Sequence, residues 1–209
     1  MNETILELNG LSVEMLQTLS YRSALGISLK RTLRHFDRSL ILGELQDMTD
    51  WLDEQEVLAD VALDYRIKSL SSLSTKYDRY VQSSRQAREV FNDTLGFRAF
   101  CDDYQPVLAL DAQLFRIADL SHGKAVDDGY RGVHVYFQAS AAHYPIEIQY
   151  NTLYDRQLNN WLHEYLYKTD FPAAVGAQMR RRYEVGEIRT EAEFQEVLND
   201  VLSGGERHR

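Results

Sequence analysis

Residues 143–152, HYPIEIQYNT, alternate apolar and polar side chains over six positions, with Ile146, Ile148 and Tyr150 on one side and Glu147 and Gln149 on the other. That period of two is the signature of a β-strand and leaves little room for any other local structure. Upstream, Asp93 precedes another strand signal, Gly96–Cys101. Two acids brought by separate strands to one solvent-accessible sheet edge can hold a divalent cation and activate a hydroxyl, which is the minimum equipment for phosphoryl transfer.

Further strand signals lie at 61–68 (VALDYRIK), 114–120 (LFRIADL) and 132–138 (GVHVYFQ), giving about five strands in all. The link before the fourth, SHGKAVDDGY, carries Gly123, Gly129 and the pair Asp127–Asp128, and reads as a polar, turn-rich loop. Helical spacing predominates elsewhere. Val13, Leu16, Leu19, Leu25, Leu29, Leu33 and Leu40 predict helix from Leu11 to about Ile41, with a break near Tyr21 or Gly26. Asp50 is the expected N-cap of a further short helix, and SLSSLSTKYDRYV reads as a Ser-rich loop entering a helix whose serines either simply cap it or, with its first amides and Lys76, suit an anion. Leu158, Trp161, Leu162, Tyr165 and Leu166 form a stripe on a helix that begins near Leu153 and ends before Pro172. Thr190 and Glu193 form a capping box ahead of Phe194, Val197, Leu198, Val201 and Leu202.

The 209 residues, 44% hydrophobic, suffice for one substantial core, so a single domain is expected: N-terminal helices over 1–60, a core over 61–168 and a C-terminal helical extension over 169–209. A formal charge of −9 argues against a broad nucleic-acid surface, although Lys30, Arg31 and Arg34 on the N-terminal helix and Arg180–Arg182 offer local basic patches. The lone cysteine, Cys101, sits in an apolar run and reads as a buried thiol; disulfide and zinc chemistry are not expected. No signal segment and no apolar run of about 18 residues is present, so a cytoplasmic protein with no membrane partner is expected.

Taken in order, the polar residues of these strands form a pattern: Arg66 and Lys68, Ser72 and Lys76, Asp93 with Gly96 and Arg98, Gly129-Tyr130-Arg131 with His134, then Glu147 and Gln149. Taken singly they admit plainer roles. Arg66 and Lys68 could be solvent-facing strand residues, Tyr130 a packed turn aromatic, His134 a core histidine, and Glu147 an edge-strand charge that keeps the edge soluble. As an ordered set over Val61 to Lys168 they resemble the synthetase domain of the RelA/SpoT family, the ATP-dependent pyrophosphokinases that make ppGpp and pppGpp, in its small stand-alone form.

The resemblance implies an α+β fold, a nucleotidyltransferase-like mixed sheet flanked by helices. It further implies a GTP diphosphokinase-like transfer of the β,γ-pyrophosphate of ATP to the ribose 3′-hydroxyl of GDP or GTP, with Mg2+ as cofactor. In RIKSLSSLSTK, Arg66 and Lys68 would contact ATP while Ser72 and Lys76 hold its phosphates. NDTLGFR matches the family's D-x-x-G-x-R, making Asp93 the magnesium ligand and Arg98 a stacking partner of adenine. GYRGVH resembles the acceptor loop, with Tyr130 stacking on the acceptor base and Arg131 and His134 beside it. EIQ resembles the catalytic strand, with Glu147 as general base and second metal contact and Gln149 on the acceptor side.

The pattern departs from the family on that side: Asn151 stands where an arginine is expected, and Val126 and Asp128 occupy a lysine–asparagine pair, with Lys124 displaced. These departures open an alternative, the toxic branch of small alarmone synthetases, which pyrophosphorylates the 3′ end of tRNA and is neutralised by an antitoxin. A third reading is a nucleotide-binding regulatory module without catalysis. A homo-oligomer is a further expectation, because the small synthetases of the family are often tetramers.

Overall fold

The computed structural model describes residues 4–167, 169 and 171–206. Contacts divide them into two units, the first comprising residues up to Ala99, Gln105–Ala118 and His134–Tyr150, the second Phe100–Tyr104, Asp119–Val133 and the chain from Asn151 onward.

In the first unit two short helices, α1 (Ile5–Leu8) and α2 (Val13–Thr18), lead through a 3-10 turn at Leu33–His35 to the long helix α3 (Arg38–Asp53). The expected helix from Leu11 to Ile41 is therefore cut short at Thr18. Most of the apolar residues beyond it, Leu19, Leu29 and Leu33, are fully buried from turns and the 3-10 segment rather than from an α-helix, so their spacing marked burial without marking the helix. Asp37, not Asp50, begins α3: its Oδ1 accepts from the amides of Ser39 at 2.8 Å and Leu40 at 3.1 Å. Asp50 lies inside that helix. The irregular stretch is tied to α3 through Glu44, a buried carboxylate that accepts from Tyr144 Oη and Ser23 Oγ, each at 2.7 Å, and from the Ala24 amide at 2.6 Å.

Among the described residues the strands are β1 (Asp64–Ile67), β2 (Leu95–Phe100), β3 (Phe115–Asp119), β4 (Val133–Phe137) and β5 (Ile146–Asn151), all at the expected strand signals. They form one mixed sheet in the order β1-β2-β5-β4-β3. β5, the last in sequence, is thus the central strand, and every residue in it but Gln149 is buried. β1 runs antiparallel to β2, with Arg66 opposite Gly96 and Asp64 opposite Arg98. α4 (Leu70–Tyr80) packs on α3 and, with the short α5 (Ala87–Val90), links β1 to β2; α6 (Gln105–Leu108) precedes β3. The fold is the expected α+β class with a mixed sheet flanked by helices.

The second unit is built on α7 (Leu153–Tyr165), α8 (Ala173–Glu184) and α9 (Glu191–Glu206). The stripe read from sequence forms its core: Leu158, Trp161, Leu162 and Leu166 of the α7 segment meet Met179 and Tyr183 of α8 and Phe194 and Leu198 of α9. The expected capping box starts α9, with Glu193 N donating to Thr190 Oγ1 at 3.2 Å and Thr190 N to Glu193 Oε2 at 3.0 Å. Among the described residues no helix is long and apolar enough to cross a membrane.

Candidate active site

Strand alternation and the β1–β2 register place Arg66, Gly96, Arg98, Glu147 and Gln149 on one face of the sheet. With Lys68, Asp93 and Phe97 they line one cleft, entirely within the first unit. Gly96 keeps it open: a Cβ there would lie 3.7 Å from Glu147 Oε2, so a methyl fits but a longer side chain would fill the space before the carboxylate.

Glu147 differs from expectation in its setting. It lies on the central strand, only 5% exposed, rather than at a sheet edge. An edge-strand role is thereby excluded. A buried carboxylate has to be satisfied, and here three side chains do it. Oε1 accepts from Tyr136 Oη at 2.9 Å and faces His134 Nδ1 at 3.1 Å, while Oε2 accepts from Gln149 Nε2 at 2.6 Å. Burial pushes the Glu147 carboxyl up, but the His134 hydrogen bond and charge and the Gln149 amide outweigh it, and the group settles below its ordinary value. Glu147 is thus held ionised, a fixed negative charge and a weak base, with Oε2 engaged by Gln149 and still able to accept a second hydrogen bond.

Asp93 occupies the turn just ahead of β2, not a strand. Its Oδ1 receives Lys76 Nζ at 2.8 Å from α4, and its Oδ2 receives Lys68 Nζ. Burial raises the Asp93 carboxyl, yet the two ammoniums together bring it below the ordinary range. Lys68 moves down because burial, helped by Lys76, outweighs the pull of Asp93. Lys76 also donates to the Val90 carbonyl at 3.1 Å. Lys68, expected to contact ATP, and Lys76, expected to hold its phosphates, are therefore both gathered on the carboxylate expected to meet metal, a position that attracts cations.

Of the remaining expected donor-side residues, Arg66 is exposed, and Arg98 is half-exposed and 3.7 Å from Asp64 Oδ2. Ser72 lies in the first turn of α4, its hydroxyl 3.0 Å from that of Ser69, and is outside the residues lining the cleft. His134 and Gln149, expected on the acceptor side, both serve the Glu147 carboxylate.

Tyr130 and Arg131 belong to the second unit. Arg131 forms a two-pronged ion pair with Asp127, at 2.8 and 3.1 Å, which leaves it a loop-forming residue. Lys124, paired with Asp128 at 2.5 Å, sits 5.1 Å from the Tyr130 ring centroid. Asn151, the residue standing where an arginine is expected, is buried and donates to the Arg131 carbonyl at 2.8 Å. The expected basic patches are also reduced. Arg180 is fully buried and bound to Asp155 at 2.7 Å, Arg182 lies 3.5 Å from Glu187, and Lys30, Arg31 and Arg34 sit on turns and a 3-10 segment rather than on a helix.

Two groups escaped the sequence reading. Tyr136 donates to Glu147 and carries the Arg116 guanidinium 3.9 Å over its ring; its spacing of two from His134 on β4 was the available signal. The Asp155–Asn159–Arg180 cluster joins residues far apart in sequence, and no spacing announces it. Cys101 is buried as expected.

The carboxylates Asp93 and Glu147 are the hard oxygen donors that suit Mg2+, which commonly takes one or two carboxylates and completes its shell with phosphate and water. No cluster of three or more His, Cys, Asp or Glu side chains that could hold a metal exists among the described residues, so a metal here would need such outside ligands.

No protein-family model matches the chain, and neither does any curated relative. Among solved structures it is similar to small alarmone synthetase 1 of Bacillus subtilis bound to pppGpp, with 20% identity over 78% of this chain and 90% of that one and a TM-score of 0.41. It is also similar to small alarmone synthetase 2 of the same organism (18% identity, 82% and 100% coverage, TM-score 0.43). A GTP pyrophosphokinase family protein of Streptococcus pneumoniae is a third such structure (20% identity, 80% and 93% coverage, TM-score 0.38).

Proposed function

We propose that this chain is an ATP-dependent pyrophosphokinase that transfers the β,γ-pyrophosphate of ATP to the ribose 3′-hydroxyl of GDP or GTP. One observation carries the reading: a single cleft gathers two ionised carboxylates, Asp93 and Glu147, with the cations Arg66, Lys68 and Arg98. A pyrophosphoryl group spreads charge over its oxygens as it is transferred, and fixed cations are what stabilise it.

In this reading Arg66 and Arg98 bind the donor nucleotide, and Lys68 and Lys76 leave Asp93 for its phosphates. Asp93 and Glu147 would then hold Mg2+, whose charge helps neutralise the donor phosphates when bound. The acceptor 3′-oxygen attacks the β-phosphorus, the bond between that phosphorus and the α,β-bridging oxygen breaks, and AMP leaves. Glu147 accepts the hydrogen bond of the attacking hydroxyl and takes its proton as the new O–P bond forms. A carboxylate held below its ordinary pKa removes little charge from the hydroxyl in advance, so proton transfer accompanies attack rather than preceding it. Tyr130 is assigned to the acceptor base.

The test is incubation of the purified protein with Mg2+ and γ-labelled ATP, with GDP, GTP or deacylated tRNA in separate reactions. Label in a guanine nucleotide is the expected result. Label in tRNA alone would replace this acceptor assignment with the toxin reading, and label in none of the three would refute the transfer reaction.

A further inference from the structure

We infer that helix α8 is a positioning element for the acceptor loop, with Gly176 and Arg180 clamping the backbone on which Tyr130 is carried. This inference rests on the assignment of Tyr130 to the acceptor.

Gly176 and Arg180 are four residues apart and share one face of α8. At Gly176 the helix and the loop touch backbone to backbone. A Cβ there would lie 2.0 Å from the Asp128 carbonyl oxygen, and a Cβ on Gly129, whose φ is +87°, would lie 2.3 Å from the Gly176 oxygen. Neither position accepts a side chain without moving backbone.

One turn further, the fully buried Arg180 spends its guanidinium on the same loop and on α7. Nε donates to the Gly129 carbonyl at 2.8 Å, Nη1 to Asp155 Oδ1 at 2.7 Å and Nη2 to Asn159 Oδ1 at 3.1 Å. The other side of Tyr130 is held as firmly. The Arg131 carbonyl accepts from Asn151 Nδ2 at 2.8 Å and Asn159 Nδ2 at 2.7 Å, and the Arg131 amide donates to Asn159 Oδ1 at 3.2 Å. The carbonyls immediately before and after Tyr130 are thus each anchored by buried side chains.

A buried guanidinium is not needed to hold the three helices together, since they already share an apolar core around Leu158, Met179 and Phe194. Burying the charge is unfavourable unless it is paired and hydrogen-bonded. Here the charge is paired with Asp155 of α7, and the same guanidinium reaches the loop directly at the Gly129 carbonyl and indirectly through Asn159, which holds Arg131. Positioning by a preformed loop matters because small displacements of a substrate-binding group are amplified in rate.

The experiment compares Gly176→Ala, Arg180→Lys and Tyr130→Ala with the wild-type protein, measuring KM for ATP, KM for the acceptor that takes label (GDP, GTP or deacylated tRNA), kcat, and hydrogen exchange of the 128–131 amides. Arg180→Lys keeps the charge but loses the planar fork. For the two α8 variants the expected result is an acceptor KM raised on the order of tenfold or more, an unchanged ATP KM and faster exchange of the loop amides. Equal losses of active protein with both KM values unmoved would mean that α8 is structural only, overturning the inference while a raised acceptor KM in Tyr130→Ala keeps the loop assignment. An unmoved acceptor KM in Tyr130→Ala would remove that assignment and this inference with it. Should Gly176→Ala not fold, Arg180→Lys decides on the same criteria.

Discussion

Replacing Asp93 with asparagine tests the centre of the proposed site by two independent routes. The carboxylate holds the ammoniums of Lys68 and Lys76, and the three side chains are only 13–25% exposed, so their interactions are weakly screened. Taking away one partner of such a cluster leaves two like charges facing each other, and the loss lies near the lower end of the 3–5 kcal/mol range for breaking a buried pair, about 3 kcal/mol. For a chain of this size that corresponds to a fall in Tm of roughly 6–12 °C at neutral pH, leaving the protein folded at room temperature.

The pH dependence has a definite sign. Asp93 is held below its ordinary value, so its contribution is complete above the unfolded carboxyl pKa of about 3.9 and is lost as pH falls through the lower folded value. Thermal unfolding of wild type and Asp93→Asn from pH 7 down to pH 2 should therefore show a gap that is constant above about pH 5 and closes in acid. An asparagine variant as stable as wild type at pH 7 would refute the ion-pair reasoning. Full pyrophosphoryl transfer by a stable variant would refute the catalytic assignment.

Glu147→Gln should also abolish transfer, and it should lower stability by about 1–3 kcal/mol, because the new NH2 must face either Gln149 or the Tyr136 hydroxyl and His134, all poised to donate. That gap too closes in acid, below the unfolded glutamate value of about 4.3, since the Glu147 carboxyl is depressed; equal stability at pH 7 would contradict the three-donor arrangement. Burial pushes the Cys101 thiol up to about 11, with Asp103 and Asp102 adding to it. Iodoacetamide at pH 8 should accordingly label the denatured chain and leave the native one unmodified; rapid native labelling would show the thiol to be accessible.

Sequence alone placed all five strands, because runs of β-branched and aromatic residues bounded by turn residues are local signals, and in the last strand the period of two fixed which side each residue takes. It also located the C-terminal capping box and the α7 stripe, both of which are local patterns. It misplaced the N-terminal helix, since Leu19, Leu29 and Leu33 are buried from turns and a 3-10 segment in a stretch anchored on Glu44, and that anchor joins residues 20 to 100 positions apart. The candidate residues Arg66, Lys68, Asp93, Arg98, Glu147 and Gln149 were nameable from their order along the chain; the register of β1 on β2 puts Arg66 and Arg98 on one face, strand alternation puts Glu147 and Gln149 together on β5, and Lys68 and Asp93 join the same cleft from outside the strands. What only the tertiary structure decided is how each is held. The strand order sets the last strand at the centre of the sheet, which buries Glu147 and makes Tyr136 and His134 its partners. Packing turned Arg180 from an apparent surface charge into the anchor of a loop 51 residues upstream. Residue type sets what a side chain can do, whereas burial and partners, which depend on pairings far apart in sequence, set what it does.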